Sequence, residues 1–194
     1  SSGADAAAII PIRTFDDQGL ATSFTFLRAV DFAVVNGARV FSMSWTSEEN
    51  SGFISDTLAA AQARGIICVA AAGNEPTGKT MYPAALPEVL AVSAVDANNN
   101  VWSQSNYGEW VDLAAPGIAT FTTGSNPGTY AGTSIATAFV ANTIARYLAL
   151  HPQATTADTF KRLKASLSVA VSGKQDSNIG YGILDQAAVD RFLK

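Results

Sequence analysis

The chain has 194 residues, of which 48% are hydrophobic and 14% charged, with a formal net charge of −4. This content can fill a sizeable core and excludes a disordered chain. With 12 Lys and Arg against 16 Asp and Glu and no basic cluster, the composition gives no support to a nucleic-acid partner. No apolar run reaches the length of a membrane span, and the single cysteine, Cys68, excludes a disulfide within the chain.

Short apolar runs alternate with amphipathic runs in the first half of the chain. Continuous apolar runs bounded by turn residues predict buried strands at residues 6–12, 38–44, 66–72 and 89–95. Helical spacing predicts one helix from a cap at Thr22 or Ser23 to Asn36 and another from Phe53 to Arg64, each followed by a glycine. The alternation predicts an α/β fold, a parallel sheet with helices on both faces, formed by residues 1–194 as a single domain.

The second half changes character after Asp96. Short β-like pieces are separated by Gly- and Pro-containing turns, the last of them a loop at residues 124–128. A helix then begins near Ser134 and ends near His151. Thr155 or Thr156 caps a further predicted helix that runs to about residue 167. Residues 176–181 are predicted as a loop and residues 184–194 as a last helix.

One stretch joins the loop at 124–128 to a long apolar helix, namely Gly132-Thr133-Ser134-Ile135-Ala136-Thr137-Ala138. A serine in the first turn of a helix is either a nucleophile or an ordinary cap, because Ser and Thr are preferred there. The N–H groups and the positive dipole end of such a turn suit a developing oxyanion. Asn74, which follows the strand at 66–72, is either a second donor or a turn residue. The residues alone leave both pairs of alternatives open.

A general base for Ser134 is missing from the local pattern. His151 is the one histidine of the chain. It lies on the same predicted helix, where 17 residues at 1.5 Å each put it about 25 Å from Ser134. A base must come within about 3 Å of its proton, so His151 is expected instead to close the helix C-terminus. Asp16 and Asp17 are candidate carboxylates in a predicted turn.

Several of these stretches resemble motifs of the subtilisin-like serine proteases, the subtilases. Gly132 to Ala136 is similar to the nucleophile motif G-T-S-M-A, and the run Ala71-Ala72-Gly73-Asn74-Glu75 to the oxyanion stretch A-A-G-N-E/D. Ser42-Met43-Ser44 resembles the start of the substrate-binding strand N-M-S-L-G. Further pieces follow in the family's order, among them Tyr82-Pro83, Ala115-Pro116-Gly117 and Gly180-Tyr181-Gly182-Ile183-Leu184-Asp185. The resemblance covers essentially the whole chain.

The resemblance implies a serine endopeptidase, in which Ser134 is the nucleophile and the oxyanion hole consists of Asn74 and the N–H of Ser134. It implies a secreted protein and a cleft for an extended polypeptide substrate. The residues expected to line that cleft are Ser44, Trp45, Thr46, Ala71, Ala72, Gly73 and Thr133. Trp45 would form an apolar wall there. No cofactor is implied, although a structural cation such as calcium is expected in some relatives between the positions of Ala84 and Val89, with Asp112 nearby.

The chain also departs from the family pattern. The family's catalytic Asp and His lie in D-[ST]-G and H-G-T-H-x-A-G stretches that this sequence does not contain. The sequence therefore resembles the C-terminal portion of the catalytic domain, with the N-terminal strands of the family fold missing. One hypothesis is a two-chain or nicked endopeptidase whose N-terminal segment supplies Asp and His. Another is a non-catalytic, degenerate subtilase that binds peptides, and a third, carried by fold class alone, is small-molecule binding.

Two expectations follow for the chain by itself. Without a partner segment it is expected to lack peptidase activity, because Ser134 then has no base. The apolar run at residues 6–12 would also leave a strand edge uncovered, and uncovered edges favour self-association.

Overall fold

Four parallel strands form the centre of the structure. The computed structural model describes residues 7–122, 126–169 and 176–194. The strands are β1 (Val40–Met43), β2 (Ile67–Ala71), β3 (Val89–Val95) and β4 (Leu113–Pro116), and they neighbour one another in chain order. In their register, Val40 lies opposite Ile67, Cys68 opposite Val89 and Val92 opposite Leu113. A separate antiparallel pair, β5 (Ile118–Phe121) and β6 (Gly128–Ala131), follows β4.

The described residues contain five helices, α1 (Ser23–Val35), α2 (Gly52–Ala63), α3 (Thr133–Leu150), α4 (Thr156–Ser166) and α5 (Gln186–Phe192). Two predicted caps are confirmed. The hydroxyl of Thr22 accepts the Thr25 N–H at 3.1 Å, and the hydroxyl of Thr155 accepts the Asp158 N–H at 3.1 Å. These caps could be predicted because a side chain that satisfies a free N–H two or three residues ahead is local chemistry.

The sheet separates two apolar cores, since alternate residues of a strand face opposite sides. Met43, Cys68 and Ala70 face α1 and α2, where they meet Phe26 and Leu58. On the other side α3 crosses the sheet and contacts all four strands. The residues of this second core include Val69, Val92, Val140, Ile144, Leu163 and Phe192. The predicted parallel α/β sheet with helices on both faces is confirmed.

Cys68 is fully buried in the first core. Burial, with a smaller effect from the Glu88 carboxylate, raises the pKa of its thiol to about 12. The thiol is therefore neutral at physiological pH and packs as a small apolar side chain.

The strand predicted at residues 6–12 is wrong where the structure can test it, since Ala6 lies outside the described residues. Residues 7–14 pair with no strand, and the side chain of Ile9 is 85% exposed. An apolar run becomes a strand only where a neighbour satisfies its main chain, and in the described chain β1 pairs with β2 alone. The segment ends beside the carboxyl end of β1, where the Phe15 ring lies 6.1 Å from that of Trp45.

Two further predictions concern the loop before β6 and membrane insertion. The loop predicted at 124–128 falls partly on residues 124 and 125, which lie outside the described residues, and β6 begins at its last position. Over the described ranges, none of the helices combines the length and the apolar character that membrane crossing requires.

Candidate active site

Ser134 and Asn74 meet at the carboxyl edge of the sheet. Strand β2 continues beyond Ala71 into Asn74, and Gly73 turns the chain there with a φ of +107°, a conformation that favours glycine. Helix α3 begins at the same edge and packs back across the sheet. Parallel strands bring their carboxyl ends to one edge, which is where ligands bind in open α/β sheets.

Thr133 fixes the orientation of the Asn74 amide. Its N–H and its hydroxyl donate to Oδ1 of Asn74 at 2.9 and 2.8 Å, and the hydroxyl accepts the Gly73 N–H at 3.2 Å. Because a main-chain N–H can only donate, the amide oxygen must face Thr133, and the nitrogen must face away. That nitrogen, Nδ2, has no acceptor among the residues that the structure describes. It is a donor held in place and left free.

The N–H and the hydroxyl of Ser134 are both free at the start of α3. The helix cap is Gly132, whose N–H donates to the Gly117 carbonyl at 2.8 Å, and the next N–H, that of Thr133, goes to Asn74. In the described part of the chain, neither the N–H nor the hydroxyl of Ser134 has a hydrogen-bond partner. The hydroxyl therefore does not cap the helix. Of the two alternatives for Ser134, the geometry favours a reactive group over a cap.

Gly132 keeps open the space between these groups. Its backbone is extended, with φ 169° and ψ 152°. A Cβ at this position would lie 3.5 Å from Nδ2 of Asn74 and 3.8 Å from the N of Ser134. Two free N–H donors, one of them the N–H of Ser134 itself, thus border one small space at the positive end of the α3 dipole. Such an arrangement can stabilise an oxyanion that forms when the hydroxyl attacks a carbonyl.

The chain beyond β1 forms one wall of a cleft. Ser44 and Thr46 are exposed and Trp45 is half-buried, with its ring edge-on to that of Phe26 at 5.8 Å. Ser47 and Tyr82 exchange two main-chain hydrogen bonds of 2.8 Å, which attach this wall to the segment before β3. A cavity of about 110 Å³ lies here, with an apolar lining that includes Trp45, Ile54, Tyr82 and Leu86.

Four of the residues predicted to line the cleft are buried. The side chains of Ala71, Ala72 and Thr133 are only 2%, 0% and 1% exposed, and Gly73 is buried. Ala71 and Ala72 lie at the covered end of β2, and Thr133 lies in the first turn of α3. The sheet and the Asn74 amide pack against them. They support the site from behind, whereas Ser44, Trp45 and Thr46 remain accessible.

Comparisons with known proteins agree with this arrangement. A family model described as the subtilase family matches residues 1–182. The chain belongs to the subtilase family. Subtilisin E of Bacillus subtilis (strain 168) is 32% identical over 169 residues, which are 84% of this chain and 44% of that protein. The minor extracellular protease Epr of the same strain is 29% identical over 185 residues, or 94% of this chain and 29% of Epr.

A solved structure, that of the prenylagaramide maturation protease PagA, superposes with a TM-score of 0.75 at 25% identity. The match covers 91% of this chain and 70% of PagA. This subtilase chain thus spans less than half the length of subtilisin E and of Epr.

The other titratable candidates form no hydrogen bond with Ser134 or Asn74 in the described chain. His151 ends α3 at the opposite end of the helix, with its ring 4.5 Å from that of Tyr147. Asp16 is occupied in its own turn, where one carboxylate oxygen accepts the N–H groups of Gln18 and Leu20, both at 2.9 Å. Asp17 is exposed and pairs with Arg13. Among the described residues, the site therefore holds a free serine hydroxyl and two free N–H donors, with no histidine beside them.

The cation expected near Ala84 to Val89 stays a prediction, because main-chain carbonyls would bind it. Among the described residues, no three His, Cys, Asp or Glu side chains converge. The Asp112 carboxylate turns to β3, where it accepts the Ala91 N–H at 2.8 Å, and burial raises the pKa of this carboxyl. The carbonyls of Pro83 and Leu86 accept main-chain N–H groups further along the same segment. We assign no role to a metal.

Sequence reasoning missed Asn106, which is 1% exposed and lies directly beneath Gly73. In the sequence it belongs to Ser105-Asn106-Tyr107-Gly108, a pattern typical of an ordinary turn. Its contacts join segments about 30 residues apart, so no local signal could have found it.

Proposed function

We propose that this chain contributes the nucleophile and the oxyanion hole of a serine endopeptidase. One observation carries the proposal: Nδ2 of Asn74 and the N–H of Ser134, both without partners among the described residues, border one space at the carboxyl edge of the sheet, and Ser134 also carries a hydroxyl without a partner there. A structural helix start would satisfy its polar groups, because unpaired buried or half-buried donors cost free energy. Membership of the subtilase family supports the same activity.

In the proposed reaction the Ser134 oxygen attacks the carbonyl carbon of a peptide bond, and its proton passes to a general base. The carbonyl oxygen becomes an oxyanion that accepts hydrogen bonds from Nδ2 of Asn74 and the N–H of Ser134. Collapse of this intermediate breaks the C–N bond, and the base returns its proton to the leaving amine. Water, deprotonated by the same base, then hydrolyses the acyl-serine and regenerates the hydroxyl.

We propose that the base and its orienting carboxylate come from residues outside this sequence. The single histidine is at the far end of α3 and is already stacked on Tyr147. The free edge of β1 offers a docking place, since β1 pairs with β2 alone in the described chain. A strand added there would end near Trp45, at the same edge as Ser134. We propose that an N-terminal subtilase segment carrying Asp and His occupies this edge, and that the chain self-associates when the segment is absent.

The proposed substrate is an extended polypeptide. Ser44 and Thr46 continue from β1 with exposed backbone, which suits hydrogen bonding to an added strand, and Trp45 offers an apolar surface beside it. Such main-chain recognition gives affinity for a backbone of any sequence, while the apolar surface selects side chains. Because Epr, a relative, is named an extracellular protease, we also propose that this protein works outside the cell.

A second candidate function is peptide binding without hydrolysis. The observation that favours it is the position of the single histidine, His151, at the opposite end of α3 from Ser134. A cleft with oxyanion donors and no base would hold a peptide carbonyl and leave it intact.

Labelling by a fluorophosphonate probe, read by intact mass, separates the two functions. The probe reacts only with an activated serine, so an adduct on the wild-type protein and none on Ser134→Ala supports the hydrolase. Ser103→Ala is the matched control, since Ser103 is exposed and lies in a loop. The same spectrum should contain the mass of the segment that supplies the base. An unlabelled protein that still binds an extended peptide would support the second function.

A further inference from the structure

Asn106 holds two parts of the loop that carries Asn74. This side chain, on the loop that connects β3 to β4, is buried, and its amide nitrogen donates to the Ala72 carbonyl at 3.2 Å and the Lys79 carbonyl at 3.0 Å. Its amide oxygen accepts the Gly78 N–H at 3.0 Å. The main-chain N–H of Asn106 donates to the Gly73 carbonyl at 2.9 Å. One residue thus ties both ends of the loop at residues 72–79.

Asn106 is itself attached to the centre of the sheet. The hydroxyl of Ser105 accepts the N–H of Ala94, in β3, at 3.0 Å and donates to the Asn106 carbonyl at 3.2 Å. Both Ser105 and Ala94 are buried. These bonds anchor the loop at 72–79 to β3, whose residues are all buried.

The contacts of Asn106 and Thr133 surround the peptide units next to Asn74. Asn106 holds the carbonyls of Ala72 and Gly73, while Thr133 holds the N–H of Gly73 and the amide oxygen of Asn74. The direction of the free nitrogen of Asn74 depends on both. A displacement of the Gly73 peptide would move that nitrogen relative to Ser134, and an oxyanion donor must be placed to a few tenths of an ångström.

We propose that Asn106 is a positioning residue, which acts through Asn74 to hold the oxyanion donor in place. The expected effect of Asn106 on the rate of hydrolysis rests on the proposed function. The geometric part of the inference, that Asn106 fixes the Gly73 peptide, stands apart from whether the protein hydrolyses peptides. A side-chain amide is required because the site offers two carbonyls to donors and one N–H to an acceptor.

The first test is Asn106→Asp in the complete protein, the chain together with the segment that supplies the base. The substitution keeps the shape and the acceptor for Gly78 but replaces both donors with a carboxylate oxygen that faces two carbonyls. We expect kcat for a peptide substrate to fall by about 10–100-fold, a fraction of the loss for a missing oxyanion donor, with KM changed by less than about threefold. Asn142→Asp, the same change at an exposed position of α3, should leave both constants unchanged.

A double-mutant cycle distinguishes positioning from a general structural effect. If Asn106 acts through Asn74, then Asn106→Asp should cost less than about threefold in kcat once Asn74 has been changed to Ala. A residue that merely supports the fold would lower kcat by the same factor in both backgrounds. Equal factors would overturn the proposal.

Amide hydrogen exchange tests the clamp without any reference to activity. Asn106→Asp should speed exchange of the Gly73 N–H by at least about tenfold, because the Ala72 carbonyl of the same peptide unit loses its donor, and leave the N–H groups of α3 unchanged. Unchanged exchange at Gly73 would overturn the proposal. If Asn106→Asp does not fold, Asn106→Ser, which also lacks both amide donors, takes its place. A wild-type protein without probe labelling would refute the proposed hydrolase, and the exchange data would still decide the role of Asn106.

Discussion

The substitution Gly132→Ala should slow reaction at the proposed oxyanion site without a large change in the stability of the fold. The backbone of Gly132 is extended, so alanine can adopt it, and its methyl carbon would meet no atom closer than 3.5 Å. The nearest atoms are the amide atoms of Asn74 and the N of Ser134, at 3.5–3.8 Å. Because this is ordinary van der Waals contact, we expect the free energy of unfolding to change by less than about 1 kcal/mol.

The same methyl group would stand where the oxyanion has to be. A productive oxyanion lies about 2.7–3.1 Å from each donor, and a carbon and an oxygen need about 3.3 Å or more between them. A carbon 3.5 and 3.8 Å from the two nitrogens therefore crowds the same small space. The expected loss in kcat is that of one lost donor, about 10²–10³, or about 2.7–4 kcal/mol, a magnitude measured on a subtilisin and carried over here.

The assay is the second-order rate of fluorophosphonate labelling of the complete protein, followed by intact mass, alongside chemical unfolding of the same sample. Gly52→Ala is the matched control, since Gly52 is exposed, has no atom within 4 Å of its Cβ position and lies at the start of α2. A labelling rate unchanged in Gly132→Ala would mean that the oxyanion does not lie between Asn74 and Ser134. A large loss of stability would show that the extended backbone at Gly132 is needed for the fold instead.

Three further predictions concern neighbouring groups. Thr133→Val should lower the free energy of unfolding by about 1–3 kcal/mol, measured in urea, because it leaves the Gly73 N–H buried without an acceptor; an unchanged midpoint would contradict this. Burial raises the pKa of Asp112 above its ordinary 3.8, so between 3.8 and the raised pKa the folded state holds a proton that the unfolded state has lost. The free energy of unfolding of the wild type should therefore fall as the pH rises through this range. Asp112→Asn should abolish this fall. Asp185→Ala should cost about 1 kcal/mol at pH 7 through loss of the α5 cap. Burial raises the pKa of Asp185, but hydrogen bonds led by the Ala188 N–H lower it below 3.8. The loss of stability in Asp185→Ala should therefore disappear as the pH falls through the depressed pKa of Asp185. A loss that persists below that pH would contradict the role of the ionised carboxylate as the cap.

The elements that could be predicted from the sequence are those decided by local chemistry or by complete burial. Strand β3 occupies the predicted residues 89–95, and the caps Thr22 and Thr155 lie where the hydroxyl pattern put them. The strand predicted at 6–12 failed because strand formation depends on a neighbour, and an apolar run carries no information about whether that neighbour is present.

The candidate site was less accessible to sequence reasoning. Ser134 in a first helical turn and Asn74 after a strand have common structural explanations, and it was the resemblance to the subtilases that paired them. Their meeting depends on contacts between residues about 60 positions apart. The burial of Thr133 and the clamp formed by Asn106 have no local signature, since both follow from which segments the sheet brings together.

Helix α3 and the loop after β2 differ in how far each is protected from solvent. α3, which carries Ser134 in its first turn, is packed across all four strands, so the body of this helix should open only when the molecule unfolds as a whole. Asn74 begins a run of seven exposed residues that ends at Thr80. On warming, the loop should open before the helix does. The two halves of the proposed oxyanion hole would then melt at different temperatures, and the proposed activity would decline below the temperature at which circular dichroism records unfolding.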